Sequence, residues 1–472
     1  MATIPEFLEK GEIARLIPIV ADTSKEQRIV SATLAVMSAV PAYAKALLGH
    51  FGLRVGVKSR INTFTEIGFR GDTGEISGRP DGLIEVHNIK SSWYGIIEAK
   101  IGSQSLQKEQ IERYLALARN NNINAVITIS NDFSSRPDHH PLKISNQLLK
   151  KVEIFHISWK SILTEALLIY ENGELIDPEQ AFLLRELIRF LSHDSSGVES
   201  YTRMPAQWKE FVANVAAGVG ARKTDPVTEL IVAGWNQEIR DLALQMSQKT
   251  NRKVSLVMSR AEEHSTLKHL QTGIATLVQE NQLIAKLRIP DTASDFLISA
   301  DLKSRTIQVS MLITAPVDRK TTKSRLNWLL RQLAKSDPEG IAIKLKWPSR
   351  AMDTVFSLKA LQESPLIADQ SGGKSPARAF EIAQTFDSPR RFVGRETFIQ
   401  EIENIVPQFY ENIGQHIQAW QPKPPKIRNS GSEPAEVLET AISINNKLPP
   451  TGNDHTNLIE LPPFLIRPSN QI

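Results

Sequence analysis

The sequence predicts an α/β fold: a leading domain in the order helix, three strands, helix, strand, then a mostly antiparallel α+β domain and a largely disordered tail. Three observations carry this. Residues 83–89 and 94–100 are apolar-rich with partial alternation, and the polar stretch 88–93 turns between them, which makes a hairpin. Leu106, Ile111, Leu115 and Ala118 then recur at helical spacing, and AVITIS at 125–130 is a short apolar run suited to a buried strand. Beyond residue 205, strand-like runs follow one another, until prolines at 424, 425, 434, 449, 450, 462, 463 and 468 accumulate with few aromatics.

Taken in order, Ala21-Asp22-Thr23-Ser24 offers a cap for a helix that runs through Glu26 to about residue 48, with Pro41 expected to kink or divide it. Residues 53–57 and 63–69 read as strands, the second the better one, and turn residues at Gly71, Asp72, Gly74 and Gly78 lead into the hairpin. The hairpin, a helix over 103–120 and the strand at 125–130 complete the core. Residues 152–157 form a further strand, and helices over 159–170 and 178–193 close a domain spanning 1–200. The second domain, 201–362, begins with helices at 207–219 and 227–248. Strands are expected at 254–258, 274–279, 283–289, 296–302 and 307–314, then a basic helix over 320–335 and a clean alternation at 341–347. Residues 370–376 (QSGGKSP) read as a linker, and Phe398, Ile402, Ile405, Phe409, Ile413 and Ile417 define an amphipathic helix complicated by Pro407. Residues 363–422 are therefore read as linker and helix, and 423–472 as tail.

Composition narrows the functional classes. With 472 residues, more than one core is expected; 41% hydrophobic and 23% charged residues indicate a mainly globular chain. The absence of cysteine removes disulfides, thiolate zinc sites and cysteine nucleophiles, and fits a reducing, cytoplasmic setting. The start lacks the basic and apolar regions of a signal peptide, and Ser31, Thr33, Ser38 and Pro41 interrupt the one membrane-like stretch, so no membrane association is expected. A net charge of +4 makes any nucleic-acid footprint local.

The hairpin carries the chemistry. Asp81 stands at the start of its first strand, and Glu98 and Lys100, two residues apart, share a face near the end of the second. Antiparallel pairing returns that end to Asp81, so two carboxylates and an ammonium meet. Paired hard oxygen ligands suit Mg²⁺, and a lysine beside them can hold or deprotonate a water, which is chemistry for metal-assisted phosphodiester hydrolysis. Pro80-Asp81 followed by Glu98-Ala99-Lys100 resembles the signature of the PD-(D/E)XK nucleases, and Gln110 with Tyr114 is similar to the QxxxY motif of their RecB-like branch. The likeness covers roughly the first 170 to 200 residues.

The resemblance implies a restriction-endonuclease-like αβββαβ domain in which Asp81 and Glu98 bind Mg²⁺, with Mn²⁺ as a substitute. It further implies that the Ala99 carbonyl adds a ligand, Lys100 positions or activates water, and Gln110 and Tyr114 line the site. Glu66, on the preceding strand, either completes the metal shell or faces solvent. Many such nucleases place a further acid on the first helix, but Glu26 is read as an ordinary first-turn residue. The second Arg-Pro-Asp triplet, at 136–138, is read as a loop, and His139-His140 beside it as solvated. Lys323, Arg325 and Arg331 on the basic helix, with Lys344, Lys346 and Arg350 nearby, are equally a phosphate-tracking surface or a solvated face.

The expected function is a Mg²⁺-dependent nuclease acting on DNA in restriction, repair or defence against foreign DNA. The rivals are a nucleic-acid-binding or regulatory protein that keeps the fold without cutting, and an RNase or toxin-like effector. A protein partner through the C-terminal helix and tail is expected, and homo-oligomerisation stays open.

Overall fold

A computed structural model describes residues 4–17, 24–70, 78–89, 91–348, 351–368 and 375–422 of the chain. The first part is a six-stranded sheet in sequential order. Its strands are β1 (Leu8–Ile13), β2 (Arg60–Phe69), β3 (Gly82–His87), β4 (Ser92–Ala99), β5 (Ala125–Ser130) and β6 (Glu153–Ser158). β1 to β4 pair antiparallel, whereas β4, β5 and β6 run parallel. Parallel strands need a crossover, and α3 (Lys108–Asn120) supplies it between β4 and β5. All six residues of β5 are buried, as a parallel strand covered on both faces requires.

Two helices, α1 (Lys25–Ala39) and α2 (Pro41–Gly49), precede β2. Proline cannot continue a helix interior but suits its first position. Pro41 accordingly divides the expected single helix, and the two parts bend by 111°. The caps at 21–23 lie outside the described residues, and Ser24 makes no side-chain cap bond. Among the described residues no single helix is long and apolar enough to cross a membrane.

The edge of this sheet differs from the expectation. Residues 53–57 form no strand, and Val57 is fully exposed. The edge position is taken instead by β1, whose pattern exposes most of its residues and so shows little apolar alternation. After β6 come α4 (Trp159–Glu171) and α5 (Pro178–Ser192), close to the predicted bounds.

The second part begins with α6 (Trp208–Ala216) and α7 (Pro226–Thr250), then β7 (Ser255–Leu256), α8 (Arg260–Glu263) and α9 (Thr266–Glu280). Residues 274–279, expected as a strand, belong to α9. Ser265 caps that helix by accepting from the Lys268 N–H, and the buried residues Ile274 and Leu277 fall on one helical face. There follow β8 (Gln282–Arg288), β9 (Phe296–Asp301), β10 (Thr306–Thr314), α10 (Thr322–Gln332), β11 (Ile341–Lys346), β12 (Thr354–Ser357) and α11 (Leu358–Glu363). The last elements are β13 (Ala379–Asp387), α12 (Pro389–Phe392) and α13 (Arg395–Asn412).

The strand order β12-β11-β13-β10-β9-β8-β7 puts β13 inside the seven-stranded antiparallel sheet, between β11 and β10. A fold ending at 362 is thereby corrected: the stretch read as linker and helix contributes a central strand and a core helix. α13 runs continuously past Pro407 and buries Phe398, Ile402, Ile405 and Phe409 in the chain's own core. That apolar face is therefore not a surface for a partner. Residues 369–374, within the expected linker, and the tail 423–472 lie outside the described residues.

The two sheets keep separate buried cores on either side of residue 200, yet residues Met1–Pro422 form one compact unit. α7 is the reason, because it packs on α4 as well as on the second sheet. Gln248 Nε2 donates to Thr164 Oγ1 at 2.7 Å, and Lys253 Nζ reaches Glu165 Oε1 at 2.6 Å. His50 Nε2 meets the same Glu165 oxygen at 2.7 Å. Despite its burial, these two partners hold the Glu165 carboxyl down at about 2.

α7 also carries Glu238, fully buried with neither carboxylate oxygen hydrogen-bonded. Burial, then the charges of Glu403 and Asp241, push its carboxyl well above the ordinary range. The folded chain thus retains a proton that the unfolded chain releases above about pH 4.3. Stability from this group is greatest below that value and falls as pH rises towards the folded pKa. Glu238→Leu is expected to stabilise the protein at pH 8 by on the order of 1 kcal/mol or more. Urea unfolding at pH 5 and pH 8 checks this: a variant with the parent's pH dependence would rule it out.

Candidate active site

β3 and β4 pair with Gly82 opposite Ile97, so Asp81, one residue before β3, lies beside Glu98. The Ala99 N–H donates to Asp81 Oδ2 at 2.7 Å. Lys100 follows directly, and its N–H donates to the Ile129 carbonyl at 2.8 Å, which holds it to the end of β5. Its ammonium donates to Glu98 Oε1 and to the Ala99 carbonyl, each at 2.7 Å, and to Glu26 Oε1 at 3.1 Å. An ammonium has three donors, and all three are used.

α3 closes the other side. Gln110 Nε2 donates to Glu98 Oε1 at 2.8 Å and to the Tyr114 hydroxyl at 3.2 Å, and that hydroxyl donates to the Arg79 carbonyl at 3.2 Å. One helical turn separates the two residues, so they share a face. Five sequence candidates, Asp81, Glu98, Lys100, Gln110 and Tyr114, thus converge, together with the Ala99 carbonyl.

Glu66 does not join them. It sits at φ 53° where the pairing of β1 with β2 is irregular, and it makes no hydrogen bond or ion pair with the cluster. Left-handed backbone at such an irregularity re-aims the side chain, which alternation alone cannot foresee. Glu26 does join. Read from sequence as a first-turn residue, it occupies that position in α1 and also bonds Lys100, while its Oε2 is buried without a hydrogen-bond partner.

Among the described residues, three carboxyl groups, Asp81, Glu98 and Glu26, gather around the Lys100 ammonium. Burial first, then the neighbouring Glu98 charge, pushes the Asp81 carboxyl up to about 8. Burial also raises Glu98, against the opposing pull of Lys100. Burial alone would lower the Lys100 ammonium, but the hydrogen bond and charge of Glu98 outweigh it and hold that pKa above its ordinary value. Burial pushes the Tyr114 hydroxyl up to about 12. Among the described residues no three His, Cys, Asp or Glu side chains form a ready cation cage. The Asp81, Glu98 and Ala99 oxygens nevertheless fit a hard divalent ion, which takes one or two carboxylates and keeps waters. The unpartnered Glu26 oxygen points the same way. Lys100 now shares the Glu98 and Ala99 oxygens that such an ion would take.

A groove of about 760 Å³ lies at the opposite end of the same strands, around Arg60, Glu85, His87 and Tyr94, and includes none of these residues.

The basic surface is not continuous. Arg325 donates from Nε to the Arg319 carbonyl at 2.8 Å and from Nη1 to the Ala377 carbonyl at 2.7 Å, a structural role. Lys344 pairs with Glu381 at 3.4 Å, and Lys346 with Asp353 at 2.7 Å and Glu381 at 2.9 Å. α10 buries Leu326 and Leu329 in the core that also takes Ile341, Ile343 and Leu345. Lys344 and Lys346 alternate with those residues and point to the other face, away from Lys323 and Arg331. Arg350 lies outside the described residues.

His139 and His140 are buried, which corrects their reading as solvated. His140 Nε2 meets Thr128 Oγ1 at 2.9 Å, and His139 Nε2 meets the Glu263 carbonyl at 3.2 Å. The Arg-Pro-Asp triplet beside them is a loop closed by Arg136 on Asp138 at 3.0 Å. Of residues 71–78, only Gly78 is described, and its carbonyl accepts from the Phe69 N–H at 3.1 Å.

No protein-family model matches the chain, and no curated protein matches it.

Proposed function

We propose that the chain is a metal-dependent nuclease that hydrolyses phosphodiester bonds, with DNA as substrate, in restriction, repair or defence. The observation that carries this reading is the meeting at one strand end of Asp81, held by the Ala99 N–H, with Glu98 and the Ala99 carbonyl, which both take the Lys100 ammonium. Bound Mg²⁺, or Mn²⁺ in its place, supplies polarisation of a phosphoryl oxygen and a water of lowered pKa. Asp81 and Glu98 would hold that ion with their carboxylates, and the Ala99 carbonyl would add a neutral donor. Gln110 fixes the Glu98 carboxylate, and Tyr114 in turn fixes Gln110 and the backbone at Arg79. Against the lowering effect of burial, Glu98 holds the Lys100 ammonium above its ordinary pKa, and a metal ion that took the Glu98 and Ala99 oxygens would free its donors to orient the attacking water and offset developing negative charge. The basic residues on α10 and β11 lie on opposite faces of the second sheet, so they offer DNA no single phosphate track.

The test is cleavage of labelled linear, circular and single-stranded DNA, with RNA in parallel, in Mg²⁺, Mn²⁺ or EDTA. Activity in both metals and none in EDTA is expected. Binding without cleavage under every condition would leave the non-cutting rival instead.

Asp81 gives a further prediction. Below about pH 8 its carboxyl is protonated in the folded chain, and a metal ion must displace that proton. Apparent Mg²⁺ affinity therefore rises with pH, by at most about tenfold per unit, and levels off near pH 8. Calorimetry in buffers of different ionisation enthalpy should detect proton release at pH 7. Zero release, with affinity flat from pH 6 to 8, would show that Asp81 does not take part.

A further inference from the structure

We propose that Trp159 is the positioning residue for Lys100, its indole fixing the backbone from which the ammonium projects. The inference deepens the nuclease reading of the site and rests on it. Lys100 lies one residue beyond β4. Its N–H is held by the Ile129 carbonyl at 2.8 Å, and its carbonyl accepts from Trp159 Nε1 at 2.9 Å. Both backbone groups of this one residue are therefore tied, one to β5 and one across β5 to the start of α4.

Trp159 is well made for that task. It is fully buried and occupies the first position of α4, directly after Ser158. Ser158 ends β6, pairs with Ser130, and caps α4 by accepting from the Ser161 N–H at 3.1 Å. The tryptophan backbone is thus fixed by a strand and a helix at once, and its ring has only two side-chain torsions. An indole N–H only donates, so its bond to the Lys100 carbonyl has a single direction. The parallel run of β4, β5 and β6 brings their C-terminal ends to one edge of the sheet. A residue just after β6 can thereby reach one just after β4. Lys100, by contrast, ends in a long flexible stem whose ammonium must meet Glu98, Ala99 and Glu26 together. Freeing its carbonyl lets the stem's origin shift, and a misplacement of about 1 Å in such a group costs on the order of a hundredfold in rate.

The experiment compares Trp159→Phe with Trp208→Phe. Trp208 is also fully buried, and its indole donates to the Phe392 carbonyl at 3.0 Å, in the core of the second sheet. Both changes remove a buried indole-to-carbonyl bond, so both should lower Tm. Only Trp159→Phe should lower kcat, by about tenfold or more, with KM for DNA within about twofold. The Lys100 ammonium resonance, assigned in isotope-labelled protein with a Lys100→Met variant, should move in Trp159→Phe and stay put in Trp208→Phe. That spectrum needs no cleavage, so it decides the positioning role even if the parent proves inactive and the nuclease reading fails. If Trp159→Phe does not fold, benzothienylalanine at 159 keeps the ring shape and removes only the N–H. A parental kcat together with an unmoved Lys100 resonance in the folded variant would overturn the proposal.

Discussion

Lys100→Met, Glu98→Gln and Asp81→Asn should each lower Mg²⁺-dependent cleavage by about a hundredfold or more, because each removes either a carboxylate that would hold the metal ion or the ammonium that offsets charge on the reacting phosphate. Their effects on stability should have opposite signs. Asp81 and Glu98 are both raised by burial and by like charge, so neutralising either relieves repulsion and should hold or raise Tm. Lys100→Met removes the one ammonium among Glu26, Glu98 and Asp81, leaves those carboxylates unpaired, and should lower Tm. A site selected for chemistry shows this pattern, with activity lost where stability is gained. Cleavage at the parental rate in all three variants would mean that the chemistry lies elsewhere.

A chain ending at residue 363 should fail to fold its second sheet. It lacks β13, which pairs with both β11 and β10, and α13, which fills the core beneath. Phe380, Ile382, Phe398, Ile402 and Phe409 are each fully buried. At about 1.5–3 kcal/mol apiece their burial sums to roughly 10 kcal/mol, the scale of a whole domain's stability. The single change Phe380→Ala should cost about 3–5 kcal/mol in urea unfolding. A chain ending at Pro422 keeps every described element and should retain the parental Tm. If the chain ending at 363 showed native amide protection in β8 to β10, β13 would be dispensable and this account of the sheet wrong.

The candidate site was largely legible because its determinants are local. Asp81, Glu98 and Lys100 belong to one hairpin, where strand period and antiparallel return bring them together, and Gln110 and Tyr114 sit one turn apart on the next helix. Glu26 and Trp159 escaped because they come from elements 74 and 59 residues away in sequence from Lys100. A glutamate in a first helical turn and a tryptophan after an apolar strand each have an ordinary local explanation, and only the third dimension adds a second.

The same division holds for the fold. Sequence alone determined the hairpin, the fully buried strand β5, an interruption of the first helix at Pro41, and the alternating strand β11, since each follows from the residues' own period or from proline's missing N–H. Tertiary structure decided that β1 rather than residues 53–57 takes the sheet edge, that residues 274–279 complete a helix, and that β13 enters the middle of the second sheet. It also set Lys344 and Lys346 on the opposite face of that sheet from α10, dividing a basic surface that looked continuous along the chain. Backbone pairing and burial are shared between segments distant in sequence, so a strand's partners and the face a charge occupies are fixed only when those segments meet.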